Sequence, residues 1–499
     1  MQENAIPVYV SQTLQTLSDA GFEVYLVGGC VRDLFLERTP KDWDVTTNAL
    51  PEQIQALFPH TVYENTFGTV GVVCDDAETV IDENGLEQPK PIVEITPYRT
   101  EMSYSDKRHP DGVSFSNVLE DDLKRRDFTV NAMAYDPLND ILSDIYKGQQ
   151  DLKGKVIRTV GNPDDRFTED ALRILRAIRF SVELGFVVSH ETLVSIHKNA
   201  HLINDISWER KRDEFIKMIM SPEPLVAIGL LEKTGLLQHL IPELREGIGC
   251  EQKGAHIYDV FEHMLHALGH ATEKKQPLEI RLSALFHDIG KPRTRRYDKT
   301  KDKYTFYGHE VVGARMVAKI MERFHFSRET SELVTKLVRY HMFFSDTEVI
   351  TLSPVRRMIQ NVGVDHIWEL MQVRECDRVG MRKVEAPYRL RKYHAMIEEA
   401  LRDPISVSQL KIDGNYLMND LGMKPGPRMG WILLALLEYV LEDPAKNTIE
   451  ALTERVKELD NLSDAELKKI GEQAKEQKDE LNIEEIKKLH VKHGVGKKK

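Results

Sequence analysis

At 499 residues the chain is too long for one hydrophobic core, and three or four domains are expected. With 41% hydrophobic and 30% charged residues it reads as a soluble globular protein, and its net charge of -12 argues only weakly against nucleic acid, since local basic surface can hide in a global count. Four scattered cysteines without CxxC spacing support neither a zinc ribbon nor a disulfide framework, and the best apolar run, Trp431 to Leu436, is too short to span a bilayer, so a cytoplasmic protein without membrane contact is expected.

Residues 8–20 read as an amphipathic helix and 23–27 as the first strand of a small α/β head. Gly28 and Gly29 follow, then a helical run from Cys30, then Asp42 and Asp44. Carboxylates at i and i+2 share one face of a strand, whereas on a helix they would diverge by about 200°. Val45, Thr46 and Thr47 favour the strand. Paired carboxylates near glycines that let backbone N–H groups approach a phosphate make a site for a hard metal and a triphosphate, and so point to metal-dependent nucleotidyl transfer.

The pattern LVGG-x-VRD followed by DxD resembles the head of the class II tRNA nucleotidyltransferases, the CCA-adding enzymes and their poly(A) polymerase relatives. The resemblance implies a polymerase-beta-like α/β nucleotidyltransferase head with a small mixed sheet, then a largely helical neck, body and tail. It also implies that Asp42 and Asp44 hold Mg2+ while Gly28, Gly29 and Arg32 hold the triphosphate.

Pro51 opens a further helix, and strands are expected at 61–63, 69–73 and 92–96, with a hairpin insertion at 75–90. Glu94 on the last of these strands is a candidate third catalytic carboxylate, an ordinary exposed strand Glu being the alternative. Residues 99–116, rich in turn formers, mark a mobile loop. In the resembled family such a loop accompanies the final adenosine addition. Next, Arg125, Arg126, Asp127 and Asn131 match the family's RRDFTxNA motif, which implies that Arg126 faces the nucleotide and Asp127 the ribose. A carboxylate is a suitable acceptor for a ribose 2′-hydroxyl.

Residues 161–180 begin with turn formers and continue as a helix, in which Asp170 and Arg173 are neighbours at i, i+3. Cytosine and adenine present an amine donor beside a ring-nitrogen acceptor, while uracil and guanine present a carbonyl beside an N–H. A carboxylate that only accepts, beside a guanidinium that only donates, matches the first pair and repels the second. The pair would read the base without an RNA template, unless it is only a surface salt bridge. In the family's ED-x-x-R-x-x-RA-x-RF motif the later arginines, here Arg176 and Arg179, also touch the nucleotide. The stretch 208–215, WERKRDEF, is expected to position that helix.

Between residues 256 and 377 stand His263, His287, Asp288, His309, His341 and Asp377, an order that resembles the HD phosphohydrolases. Imidazoles with carboxylates suit Mn2+, Ni2+ or another divalent metal rather than structural zinc. Such a domain either cleaves a phosphoester, for example a cyclic phosphate at an RNA end, or persists as a scaffold. Residues 381–455 are expected to be helical, with Lys424, Arg428 and the glycines Gly426 and Gly430 either holding an RNA phosphate or forming a plain helix junction. The end of the chain is highly charged.

The expected division is 1–154 nucleotidyltransferase head, 155–250 neck with the base-reading helix, 251–380 HD-type domain and 381–499 helical tail. The expected activity is addition of C, C and A to the 3′ end of tRNA from CTP and ATP with Mg2+. The rivals are a poly(A) polymerase, an enzyme that adds only part of CCA, and an HD phosphohydrolase with a degenerate RNA-binding head.

Overall fold

The structure, a computed structural model, describes residues 6–63, 68–75, 77, 87, 89–101, 113–252, 257–300, 302–343, 351–379, 387–401, 407–468 and 470. Most of the insertion expected at 75–90, the centre of the loop at 99–116 and the charged end of the chain lie outside the described residues. The chain divides into two compact units, residues 1–245 with 320–326, and residues 246–319 with 327–499.

The first unit begins with a seven-stranded mixed sheet. Its strands are β1 (Val24–Val27), β2 (Trp43–Thr47), β3 (Thr61–Tyr63), β4 (Val70–Val73) and β5 (Ile92–Pro97), followed, after a separate pair β6 (Arg99–Glu101) and β7 (Val113–Phe115), by β8 (Ala134–Asp136) and β9 (Ile141–Ser143). The order across the sheet is β3-β4-β5-β2-β1-β8-β9. Only β2 and β5 run parallel, in a register that sets Asp44 opposite Glu94. The centre of the sheet is buried on both faces, so β2 carries β-branched residues, and its buried hydroxyls have acceptors: Thr46 Oγ1 donates to Thr96 O at 3.0 Å and Thr47 Oγ1 to Glu23 O at 2.6 Å. The helices Val8–Asp19 and Pro51–Leu57 cover the sheet with Val10, Leu14, Leu17 and Ile54, each fully buried and each stabilising by about 1.5–3 kcal/mol.

The neck differs from the expectation that turn formers lead into one helix carrying both Asp170 and Arg173. Two helices form, Pro163–Glu169 and Leu172–Leu184, and between them Asp170 takes an extended conformation (φ -137°, ψ 103°). The break follows from Asp170 itself: its carboxylate accepts Leu172 N at 3.0 Å and so opens the second helix instead of continuing the first. The second helix then buries Ile174, Leu175, Ala177 and Ile178 against the helices Trp208–Met220 and Pro224–Lys233. A short parallel pair, β10 (Val156–Ile157) and β11 (Val187–Val188), ties the chain after this helix to the chain before both neck helices.

The second unit is mostly helical. The helices Val260–Glu273, Leu278–Phe286, Arg328–Tyr340 and Ile367–Asp377 pack together, and one hairpin, β12 (Arg296–Asp298) with β13 (Lys303–Thr305), stands in the segment before His309. Toward the C-terminus, the helices Leu352–Val362, Pro387–Ala400, Pro427–Glu442 and Ile449–Asp460 share an apolar cluster that includes Ile359, Ile397, Leu436 and Val456. Arg428, at the start of Pro427–Glu442, donates to Asp460, Asp464 and the carbonyl of Leu462. It braces two helices here, in keeping with the plain helix junction, one of the two readings of this stretch.

Candidate active site and metal centre

In the first unit the site starts at Gly28, which ends β1 and precedes the helix Gly29–Phe35. Its φ of +80° is a conformation that L side chains seldom adopt, and a Cβ there would lie 3.1 Å from Arg126 Nη1 and 3.2 Å from Asp44 Oδ2. Gly28, Asp44 and Arg126 therefore meet at one point. Asp44 is on β2, and Asp42 stands just before the strand, exposed, on the same side of the alternation about buried Trp43. Burial raises the Asp44 carboxyl, Arg126 pulls it back, and Asp42 adds to the rise. Glu94 is exposed and faces Asp44 across the strand pair, but Asp42, Asp44 and Glu94 do not come within 4.8 Å of one another as a set.

Arg126 is aimed by a residue the sequence reading passed over. Asp122 is fully buried on the helix Leu119–Lys124. Its Oδ1 accepts from Arg125 Nε at 3.0 Å, and its Oδ2 accepts from Arg126 Nε at 3.3 Å and Nη2 at 3.0 Å, which leaves Nη1 of Arg126 toward Gly28. Burial would raise the Asp122 carboxyl, but the two guanidiniums hold it below its ordinary range. The signal was present in the sequence as Asp122 at i-3 and i-4 from the two arginines of a helix end.

From Arg32 a continuous polar network leads to the neck. Arg32 Nη1 donates to Asn131 Oδ1 at 2.8 Å, Asn131 Nδ2 to Asp127 Oδ1 at 3.2 Å, and Arg176 Nε to Asp127 Oδ2 at 2.8 Å. Against the opposing effect of burial, Arg176 holds Asp127 low. Arg32, Arg176 and Arg179 surround the Phe180 ring at 5.3, 5.2 and 4.0 Å. Arg173 Nη2 donates to the carbonyl of Arg125 at 2.9 Å, so the helix that carries Arg173 reaches the residue beside Arg126.

Asp170 and Arg173 do not pair with each other, as a surface salt bridge would require. Arg173 Nη1 donates to Glu169 Oε2 at 2.7 Å, while Asp170 Oδ2 accepts from Arg210 Nη2 at 2.8 Å. Arg210 lies within WERKRDEF, and so does Glu214, which accepts from Arg179 Nε at 2.6 Å in a buried pair. Arg210 was missed because its partner lies forty residues away on another element, whereas Glu169, four residues before Arg173, carried a local signal.

The second unit gathers all six of its predicted ligands. His263, His287, Asp288 and Asp377 offer ligand atoms within 4.8 Å of one another, and so do Asp288, His309 and His341. Each imidazole is oriented from behind, because a carbonyl only accepts and the facing Nδ1 must donate: His263 to Val379 O at 3.1 Å, His287 to Ala284 O at 2.8 Å, His309 to Phe306 O at 2.8 Å and His341 to Val338 O at 2.7 Å. All four Nε2 atoms thus point inward. Asp288 divides its oxygens, Oδ2 lying 3.1 Å from His287 Nε2 and Oδ1 lying 3.3 Å from His309 Nε2. Neither Asp288 oxygen has a hydrogen bond of good geometry, although Lys291 Nζ is 2.5 Å from Oδ2.

The donor set asks for cationic charge. His263 Nε2 and His287 Nε2 are 3.1 Å apart, a contact that two lone pairs alone would resist. Burial opposes charge on His287, yet Asp288 and Asp377 override it and push the imidazole up to about 10. A divalent ion would replace that proton. Gly290 lets the two halves close, since a Cβ there would fall 2.2 Å from His309 O.

Three family models match in sequence: the poly A polymerase head domain over residues 24–158, a probable RNA and SrmB-binding site of polymerase A over 185–248, and the HD domain over 260–382. The CCA-adding enzyme of Lactobacillus helveticus is 31% identical over 453 residues, spanning 90% of this chain and 96% of that one. That of Bacillus subtilis is 43% identical over 237 residues, 47% of this chain and 55% of that one. Among solved structures, the Bacillus stearothermophilus CCA-adding enzyme in complex with CTP aligns with a TM-score of 0.66 and 26% identity over 91% of this chain and 98% of that one. The Thermotoga maritima CCA-adding enzyme complexed with tRNA shares the fold, with a TM-score of 0.54 at 19% identity over 91% of this chain and 97% of that one.

Proposed function

Because the chain belongs to the family of CCA-adding enzymes, we propose that it builds the CCA end of tRNA from CTP and ATP by transfer of a nucleotide to an RNA 3′-hydroxyl, with pyrophosphate leaving. The observation that carries this reading is the meeting of Gly28, Asp44 and Arg126, with Arg173 bonded to the residue next to Arg126. Triphosphate and base would then be held by one connected set of side chains. The parts played are those of a head at 1–154, a neck at 155–250, an HD-type domain at 251–380 and a tail at 381–499.

Asp42 and Asp44 would hold Mg2+, which supplies charge neutralisation at the phosphates when bound. Gly28 and Gly29 leave room for the phosphates to approach the backbone. Arg32 and Arg126 bind them, and Asp122 keeps Arg126 in place. Asp127, fixed by Asn131 and Arg176, accepts from the ribose. Asp170 and Arg173 read the base, with Arg176 beside them, and Arg179 holds the helix through Glu214. tRNA lacking its CCA end, given each nucleotide separately and together, tests the reading. Long A tails, or arrest after two cytidines with ATP present, would refute it.

A second reading concerns the other unit, and six inward-facing ligands favour it. His263, His287, Asp288 and Asp377 would hold one Mn2+, Ni2+ or similar ion, and Asp288, His309 and His341 a second. Such ions supply a polarised phosphoester and a bound water of lowered pKa. Purified protein with Ni2+ or Mn2+ should hydrolyse a phosphodiester, and a protein that binds these metals without hydrolysis would make the domain a scaffold.

A further inference from the structure

The segment Ile320–Phe326 is part of the first unit, although the chain before and after it belongs to the second. It closes the helix His309–Arg323 with a tight turn. Phe326 N donates to Met321 O at 3.0 Å and His325 N to Glu322 O at 2.9 Å, with His325 at a left-handed φ of 54°. The turn presents Phe324, fully buried, with its ring 5.0 Å from that of Trp208 and 5.3 Å from that of Phe215. Polar contacts hold the turn on either side: Arg323 donates to both Glu243 oxygens at 2.9 Å, Arg212 Nη1 donates to His325 O at 2.5 Å, and Glu209 Oε1 lies 3.0 Å from His325 Nδ1.

The helix Trp208–Met220 therefore has two faces with separate duties. Trp208, Lys211 and Phe215, at i, i+3 and i+7, share the face that meets the turn, and Lys211 Nζ lies 4.0 Å over the Trp208 ring. Arg210 and Glu214, at i and i+4, share another face, from which they hold Asp170 and Arg179 of the neck. Apolar packing on the first face thus sets where the charged groups of the second stand. Arg210 Nη2 reaches Asp170 Oδ2 at 2.8 Å, a contact that a small shift of the helix would spoil. A misplacement of about 1 Å at a group that orients a substrate can cost about 100-fold in rate, even when the change that causes it is remote.

We propose that Phe324 is a positioning residue for base choice, holding the helix Trp208–Met220 where Arg210 can aim Asp170. The inference rests on the reading of Asp170 and Arg173 as the base-reading pair. Phe324, enclosed by aromatic rings, acts through Arg210 rather than on the nucleotide.

The test measures CTP and UTP incorporation into tRNA lacking its CCA end by the full-length parent protein, Phe324→Ala, Phe324→Leu, Arg210→Ala and the double variant Phe324→Ala with Arg210→Ala. In Phe324→Ala the KM for CTP should rise and the preference for CTP over UTP should fall, each on the order of tenfold. Inhibition by tripolyphosphate, which reports on the Arg32 and Arg126 end of the site, should stay as in the parent. Phe324→Leu refills most of the lost volume and should recover most of the preference. The double variant should lose no more selectivity than Arg210→Ala alone, because both changes act on one contact. Arg212→Gln removes the donor to His325 O from a half-buried side chain, should shift selectivity in the same direction, and decides the matter if Phe324→Ala does not fold. Parent-like selectivity in Phe324→Ala with only a lowered urea midpoint would make Phe324 a packing residue and overturn the proposal. Losses that multiply in the double variant would overturn it as well. Unchanged selectivity in Arg210→Ala would refute the base-reading assignment itself, whereas selectivity lost there but kept in Phe324→Ala would refute the positioning role alone.

Discussion

Single residues in the first unit carry more than one duty, and Asp122 is the clearest case. It is fully buried between two half-buried guanidiniums, so Asp122→Asn weakens the charged hydrogen bonds to both and should cost about 1.5–3 kcal/mol, read as a lowered midpoint in urea. The same change frees Arg126, so nucleotide addition in the surviving folded protein should also fall. Asp127 gives a pH dependence of defined sign. Its folded carboxyl lies below the ordinary 3.8, so its pairing with Arg176 stabilises the fold above that value and is lost as pH falls through the lower, folded one. The midpoint of Asp127→Asn should therefore change less than that of the parent protein below about pH 4. A parallel decline in both would show that Asp127 contributes nothing to acid sensitivity.

At the scale of elements, the break at Asp170 sets the partners of the proposed base-reading pair. An unbroken helix would have placed Asp170 and Arg173 side by side, whereas the observed turn gives Asp170 to Arg210 and Arg173 to Glu169. Arg210→Ala should release Asp170 and reduce the preference for CTP over UTP on the order of tenfold, with Arg210→Lys recovering part of it. Equal selectivity in all three proteins would leave Arg210 a packing residue. The sequence made the strands around Asp44 legible, because β-branched runs and proline at a helix start are local signals. The RRD motif was legible for the same reason. Asp170 was misjudged as helical because its capping bond to Leu172 competes with propensity over only two residues. Arg210 and the Arg428 brace depend on contacts between separate helices, which no local pattern encodes.

Across the whole molecule, the two proposed chemistries would occupy separate units, and the His/Asp ligand cluster lies wholly in the second. Asp288→Ala, which removes the carboxylate shared by both ligand groups, should abolish tight Mn2+ or Ni2+ binding by calorimetry while CCA addition persists. Loss of both would join the units functionally. The central claim is that Asp44, Gly28 and Arg126 form the triphosphate end of a site whose other end chooses C and then A. The most direct measurement is the sequence added to tRNA lacking CCA by the parent protein and by Asp44→Asn, with CTP, ATP, UTP and GTP all present. The account predicts CCA and nothing further from the parent protein and no addition from the variant; full addition by Asp44→Asn, or incorporation of U or G by the parent protein, would contradict it.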